Sequence, residues 1–313
     1  MKKTALCFDI GGSKYITGLI DEDGTVLKTQ KDTWKELSKE GILASLFASG
    51  DAMLAQAAAE GLPKPSAVGS TIPGLTDAEK GIWVEASFSG IKNFRIAEAL
   101  REHFGLPVAI DNDSRACTRA EMRFGCCRNV RDFFYMTVSN GIGGAVVIDG
   151  KPYTGALSNA GEIGHCRIVE ENGRPCKCGG TGCMEIQAAG PGISRNYLEL
   201  GGTPLPDGSA PSCLEITERA RAGEQAAIET FRLEGRYLGT GLAWAANLLN
   251  PEKIVIGGGV SLAFDQYGPY LMKEFRERIY RNANPGLTVE PTPLGYLEAL
   301  YGAAALAFGE LEK

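Results

Sequence analysis

The clearest chemistry in this chain lies in Cys176-Lys177-Cys178-Gly179-Gly180-Thr181-Gly182-Cys183. Thiolates gathered by a short, glycine-rich loop suit tetrahedral zinc, and a structural zinc takes four protein ligands. The fourth donor must come from outside the loop. His165 is the best candidate, because the chain has only 2 histidines and the other, His103, falls on a predicted helix. Cys166 competes with it. A full set of protein ligands leaves no open position for water, so the metal is expected to be structural rather than catalytic. The alternative is three unrelated thiols, but free cysteines are usually buried singly in cores rather than clustered among glycines.

Two glycine loops suggest phosphate chemistry. Asp9-Ile10-Gly11-Gly12-Ser13-Lys14 follows one predicted strand, and Asn140-Gly141-Ile142-Gly143-Gly144 follows another. Paired glycines let backbone N–H groups approach phosphate oxygens, and Ser13 and Lys14 add a hydroxyl and a positive charge. The first loop is not a Walker A sequence, and alone it reads equally well as a hairpin turn. Two such loops together favour a nucleotide. Asp9, at its strand end, is then placed to hold Mg²⁺ through water, since magnesium keeps much of its hydration.

Asp113 is the candidate general base, because a phosphoryl acceptor hydroxyl must be oriented and relieved of its proton. Asp111 or Asp113 would also serve to cap a following helix, and the local sequence by itself favours that second reading. Glu162 and Glu185 flank the cysteine loop. With zinc folding that loop, the two carboxylates and His165 would suit recognition of vicinal hydroxyls; otherwise they are solvated surface acids, the ordinary fate of glutamates.

These residues need elements to position them. Residues 4–9 read as a strand, Gly11-Gly12 as a turn, residues 15–20 as a second strand, Asp23-Gly24 as a hairpin turn and residues 25–30 as a third strand. The series recurs as a strand at 133–139, the second glycine loop, a strand at 145–148 and the turn Asp149-Gly150. Two copies of one pattern imply two domains related by duplication, with a glycine loop on each wall of a cleft. Residues 94–104 carry Ile96, Ala97, Leu100 and Phe104 at helical spacing, with Gly105 as the cap. A strand at 106–110 then leads to Asp111-Asn112-Asp113 and a helix at 115–124, and ligands of α/β sheets gather at such strand ends. Further on, a helix at 241–249 precedes a buried strand at 253–256 that Gly257-Gly258-Gly259 breaks. A final helix at 297–311 is expected to pack on the N-terminal domain.

Composition agrees with a folded enzyme-sized chain. At 313 residues two domains are the default, and 44% hydrophobic with 22% charged residues is ordinary for a globular protein. A net charge of −6 argues against a nucleic-acid partner, which would favour a basic face. No run approaches the length of a membrane span, and the apolar stretch after the first residues is too short for a signal-peptide core, so a cytoplasmic location is expected. The 9 cysteines are an odd number in a long chain, which reads as reduced thiols and metal ligands rather than a disulfide framework.

The order of motifs resembles the ROK family (repressors, open reading frames, kinases). Asp9-Ile-Gly-Gly-Ser-Lys, Ile72-Pro73-Gly74, Asn112-Asp113, Gly141-Ile-Gly-Gly, Gly161-Glu-Ile-Gly-His165, the cysteine loop with Glu185, and Ile256-Gly257-Gly258-Gly259 span nearly the whole chain. The resemblance implies a two-domain α/β actin-like ATPase (ribonuclease H-like) fold with a central cleft. Residues 1–114, completed by 297–313, would form one domain; residues 115–296, with the zinc loop at 165–183, would form the other. It further implies an ATP-dependent sugar kinase acting on a hydroxyl, O6 being expected, of a hexose or N-acetylhexosamine, assembled as a homodimer. Asp113 would be the base. Asn112, Glu162, His165 and Glu185 would bind sugar hydroxyls, with Gly74 and Ser87 on the same side. Gly11, Gly12, Gly141 and Gly143 would border the phosphates, and Gly257 and Gly258 would approach the adenosine. His165, Cys176, Cys178 and Cys183 would take the zinc.

Three positions depart from the family pattern. Ser13 replaces a usual Thr, Ser139-Asn140 stands where Gly-Thr is usual, and Ser87 replaces an Asn that faces the sugar. These changes bear on ATP geometry and sugar identity. A sugar-responsive repressor of the same family would carry a helix-turn-helix before the first glycine loop; with Asp9 already in the phosphate motif, that arrangement is not expected here. A catalytically silent sugar-binding protein is the other alternative.

Overall fold

The repeated strand–loop–strand pattern builds two sheets of one topology. The computed structural model describes residues 2–86 and 89–313, and the chain divides into two units: residues 1–129, 154–159 and 297–313, and residues 130–153 and 160–296. The expected boundary at 114/115 falls inside a helix, and the first unit runs on to Asn129.

In the first unit, β1 (Thr4–Ile10), β2 (Lys14–Asp21) and β3 (Val26–Thr33) form an antiparallel meander, turned at Gly24 with a φ of 88°. Helix α1 (Lys39–Ala59) leads to β4 (Ala67–Ile72), which pairs in parallel with β1. A small antiparallel sheet follows, made of β5 (Leu75–Asp77), β6 (Ile82–Ala86) and β7 (Ile91–Phe94). Then α2 (Ile96–Phe104) ends at Gly105 in the left-handed region, and β8 (Val108–Asn112) adds to β4 in parallel before α3 (Asp113–Arg123). The sheet order is β3-β2-β1-β4-β8. The helix expected from 94 starts at Ile96, because Ile91–Phe94 extends to pair with β6. The strand expected from 106 starts at Val108, past the Pro107 that has no N–H to donate to a ladder.

One face of this sheet is covered by α1 and α2 through Leu6, Phe8, Ile42, Leu46 and Leu100, all fully buried. Among the described residues α1 is the one helix long and apolar enough to cross a membrane, and here Ile42, Leu46 and Met53 pack into that core. The other face is covered by the C-terminal helix (Glu298–Glu310), whose Leu300, Ala303, Ala304 and Ala307 sit on Ala5, Cys7 and Ala67. The approach is so close that a Cβ on Gly69 of β4 would lie 1.8 Å from the carbonyl oxygen of Ala303.

The second unit repeats the order. β9 (Phe133–Val138), β10 (Ile142–Ile148) and β11 (Lys151–Tyr153) form the meander, closed by Asp149 and Gly150 at positive φ. After the cysteine loop come α4 (Met184–Ala188), α5 (Gly190–Glu199), α6 (Cys213–Arg221) and α7 (Gln225–Leu249). β12 (Lys253–Gly257) pairs in parallel with β9, α8 (Phe264–Arg278) follows, and β13 (Thr288–Pro291) closes the order β11-β10-β9-β12-β13. Parallel and antiparallel pairings fall at the same places as in the first unit, which is the signature of duplication. The helix expected at 241–249 is the last third of α7, whose buried Phe231, Leu238 and Leu242 pack with Leu271 and Phe275 of α8 in the second core.

Candidate active site

In the first unit the acidic residues sit at the carboxyl ends of parallel strands. Asp9 near the end of β1 is in register with Thr71 of β4, and Thr71 with Asp111 of β8. Thr71 donates its hydroxyl to Asp9 Oδ1 at 2.9 Å. Burial pushes the Asp9 carboxyl up to about 6; the Thr71 hydrogen bond and the Lys14 charge pull the other way, while the negative charge of Asp113 adds to the rise. Asp9 and Asp113 are thus close enough to feel one another, and oxygen donors of this kind suit a hard cation.

The capping alternative resolves onto neither aspartate named for it. The N-cap of α3 is Asn112, whose Oδ1 accepts from Ser114 N at 3.0 Å and Arg115 N at 3.4 Å. Asp113 is the first helical residue, and its Oδ1 accepts from Ser114 N at 2.7 Å. Asp111 is buried in an ion pair with Arg115 at 2.7 Å. Arg115 also donates to the carbonyls of Ser158 at 2.7 Å and Thr76 at 3.4 Å, so one buried guanidinium ties the strand end, the small sheet and residues 154–159 together. Arg115 went unread in the sequence, where only its i, i+4 spacing from Asp111 hinted at the pair. Asn112 Nδ2 donates to the carbonyl of Gly74 at 3.1 Å, and Gly74 holds a φ of 86° with no room for a Cβ beside the Glu85 carbonyl. Asn112 and Gly74 are therefore adjacent. The expected sugar-side residue Ser87 lies outside the described residues.

The glycine loop of the first unit is closed by Gly11 N donating to Lys14 O at 2.9 Å. Trp34 Nε1 donates to Gly11 O at 2.8 Å, and its ring stacks on Tyr15 with centroids 4.3 Å apart. Ser13 is exposed at the tip, between the half-buried Gly12 and Lys14.

In the second unit Ser139 N donates to Gly141 O at 2.9 Å and closes the corresponding loop. Glu185 reaches this loop: its Oε2 accepts from Ile142 N at 3.0 Å, and a Cβ on Gly141 would lie 2.6 Å from that oxygen. Gly143 sits within β10, opposite Thr137. Asn140 is exposed on a cavity of about 360 Å³ whose lining includes Pro191, Ser212, Cys213, Gly259 and Val260. That volume is within the range of small-molecule sites. The start of α5 meets the loop through Gly190 N donating to Ser139 O at 2.7 Å, and the start of α6 is held by a Ser212–Glu215 capping box. The α5 N-terminus facing the cavity favours an anionic ligand, whereas at α6 the Glu215 carboxylate already accepts from Ser212 N at 2.7 Å. Gly257 ends β12, and Gly258 takes a φ of 80° where a Cβ would strike the Val138 carbonyl at 2.4 Å, which delivers Gly259 and Val260 to the cavity. The contributions of α5 and α6 were missed in the sequence, although Pro191 at a helix start and the Ser-x-x-Glu box were readable there.

The cysteine loop converges as its spacing suggested. His165, Cys176, Cys178 and Cys183 place their ligand atoms within 4.8 Å of one another, with Cys178 Sγ 3.6 Å from Cys183 Sγ and Cys176 Sγ 3.7 Å from His165 Nδ1. Ligands at zinc–sulfur distance stand about 3.8 Å apart along a tetrahedron edge, so these residues fit the ion. Cys166 is not part of the group. The other ring nitrogen of His165, Nε2, lies 3.8 Å from Glu162 Oε2, so one imidazole faces the thiols on one side and a half-exposed carboxylate on the other.

The ROK family model matches residues 5–310. A glucokinase of Streptomyces coelicolor is 30% identical over 312 residues, covering 96% of each chain. Among solved structures, a ROK family glucokinase from Streptomyces griseus in complex with glucose and AMPPNP superposes with a TM-score of 0.85 at 30% identity, over 98% of this chain and 99% of that one. A ROK family transcriptional regulator, a homolog of the Escherichia coli Mlc protein, superposes with a TM-score of 0.88 at 29% identity, over 99% of this chain and 79% of its own.

Proposed function

The chain belongs to the ROK family, and from that premise we propose that it is an ATP-dependent sugar kinase, transferring the γ-phosphoryl group to a hydroxyl, O6 by preference, of a hexose or N-acetylhexosamine. The observation that carries this reading is the placement of Asp9 near the carboxyl end of β1 and of Asp113 at the start of α3, directly after β8, the two strands that flank β4. Phosphoryl transfer needs one carboxylate to take a proton and another to manage a cation.

Asp113 accepts the proton of the attacking hydroxyl as its oxygen bonds to the γ-phosphorus; the bond from that phosphorus to the bridging oxygen breaks, and ADP leaves with the electron pair. Asn112, Gly74, Ser87, Glu162, His165 and Glu185 are the proposed sugar contacts. Asp9 would hold a Mg²⁺ ion through water, and that ion would supply charge neutralisation to the phosphates. Gly11, Gly12, Ser13 and Lys14, and Asn140, Gly141 and Gly143, offer the phosphate-side amides and polar groups. The cavity beyond Gly257 and Gly258 takes the nucleotide, with the α5 N-terminus favouring the negative charge of its phosphates. His165, Cys176, Cys178 and Cys183 hold zinc, which keeps Glu162 and Glu185 at fixed positions.

The test is a coupled ADP-release screen over glucose, mannose, fructose, allose, N-acetylglucosamine, N-acetylmannosamine and β-glucosides. Sugar-dependent ADP release supports the kinase. Sugar binding by calorimetry without ADP release on any member supports the second reading, a silent sugar-binding regulator, which the likeness to a ROK regulator keeps in view.

A further inference from the structure

Glu121, Cys126 and Cys127 play no part in the proposed reaction, yet their ligand atoms all lie within 4.8 Å of one another, the same limit that the four zinc-loop ligands meet. We propose that these three residues form a second metal site, for a thiophilic divalent ion of the zinc and cadmium class, at the C-terminal end of α3. Successive side chains usually diverge, but Cys126 and Cys127 lie in a turn that folds back on the helix. Cys126 N donates to Glu121 Oε2 at 2.8 Å, and Cys127 N to the Glu121 carbonyl at 3.1 Å. The Cys126 thiol donates to Glu121 Oε2 at 3.2 Å, close to the sulfur–oxygen edge of about 3.5 Å that zinc–sulfur and zinc–oxygen bond lengths set in a tetrahedral site.

Gly125 makes this fold-back possible, since a Cβ there would lie 2.0 Å from Glu121 Oε2. Glu121 is fully buried and Cys127 nearly so, whereas Cys126 is partly exposed and marks the side from which an ion enters. Two soft sulfurs select zinc and its heavier congeners over magnesium and calcium, which prefer all-oxygen sites. On binding, the two thiols release their protons to solvent and the ion bonds to both sulfurs and to the carboxylate, so uptake is accompanied by proton release. Three protein ligands leave a fourth position for water. The ion would clip the last turn of the helix that carries Asp113 at its other end.

Cadmium is the probe, because its bonds to thiolate give a charge-transfer absorbance. Equilibrium dialysis of the reduced, metal-stripped full chain against Cd²⁺ is expected to reach two equivalents in the wild type. Cys126→Ser/Cys127→Ser should lose one equivalent, and Cys178→Ser should keep the α3 equivalent while losing the loop's. A wild type that saturates at one equivalent overturns the proposal, as does a double variant that still binds two. Should the double variant fail to fold, the wild type decides: Cd²⁺ should slow alkylation of the partly exposed Cys126, read by peptide mass mapping. Unchanged alkylation there, with the loop cysteines protected, overturns it. None of these readouts depends on sugar turnover, so the kinase reading and this site stand or fall separately.

Discussion

Asp113→Asn separates the catalytic from the structural reading of one residue, because the structure assigns the two roles different sizes. As a base, Asp113 accounts for about 10²–10⁴-fold of the rate, or about 3–5.5 kcal/mol of barrier. Its structural share is smaller: the cap belongs to Asn112, and Asp113 contributes a negative charge in the first turn of α3, worth about 0.3–1 kcal/mol. For a chain of this size that is a fall of a few degrees in Tm, on the order of 1–4 °C.

The same change also reaches Asp9. Burial is the main cause of its raised carboxyl, but the Asp113 charge contributes. Between the ordinary value of 3.8 and about 6, the folded chain holds a proton on Asp9 that the unfolded chain releases, so this group's contribution to stability falls as pH rises through that window. Removing the Asp113 charge should make that fall smaller. The assays are sugar-dependent ADP release for kcat, and metal-free melting curves at several pH values across that window. Turnover within a factor of two of the wild type, with a melting loss of many degrees, would refute the assignment and make Asp113 a structural residue.

Cys178→Ser should lose the loop's equivalent of zinc by elemental analysis and weaken sugar affinity, since Glu162, His165 and Glu185 lie on or beside that loop; full zinc retention would contradict the His165–Cys176–Cys178–Cys183 set. Asn140→Thr should change the Michaelis constant for ATP several-fold and leave that for sugar nearly constant, because Asn140 lines the cavity proposed for the nucleotide. Gly69→Ala should destabilise the protein by about 1–3 kcal/mol or more through the clash with the Ala303 carbonyl, read as a lower denaturant midpoint.

The elements that recur locally were the ones legible in the sequence. Strand, glycine turn, strand, Asp-Gly turn is a short-range pattern, and both copies of it folded as antiparallel meanders with β1–β2 and β9–β10 in the expected places. The cysteine loop was legible for the same reason, since three of its four converging donors lie within one turn-rich stretch. What escaped depends on distant partners. The β5–β7 sheet has short strands whose pairing is set by Trp83 packing into the first core, which no window around it reveals. The cavity beside Asn140 draws on α5 and α6, two helix starts that mean nothing until the chain returns them to Ser139. The pairing of Glu121 with Cys126 and Cys127 was hidden because a vicinal cysteine pair alone has no preferred partner; Gly125 is what permits the carboxylate to turn back on it.

The close seating of the C-terminal helix on β1 and β4 has a consequence for biosynthesis. The ribosome completes that helix only after the whole second unit has been made, so until then the nascent first unit carries one bare sheet face: Ala5, Cys7, Ile16 and Ala67 with nothing above them. Domains tend to fold as they emerge, and incompletely covered apolar surface is the form in which they aggregate. The first unit of this chain is therefore finished last, and its emergence is the interval in which a chaperone has most to hold.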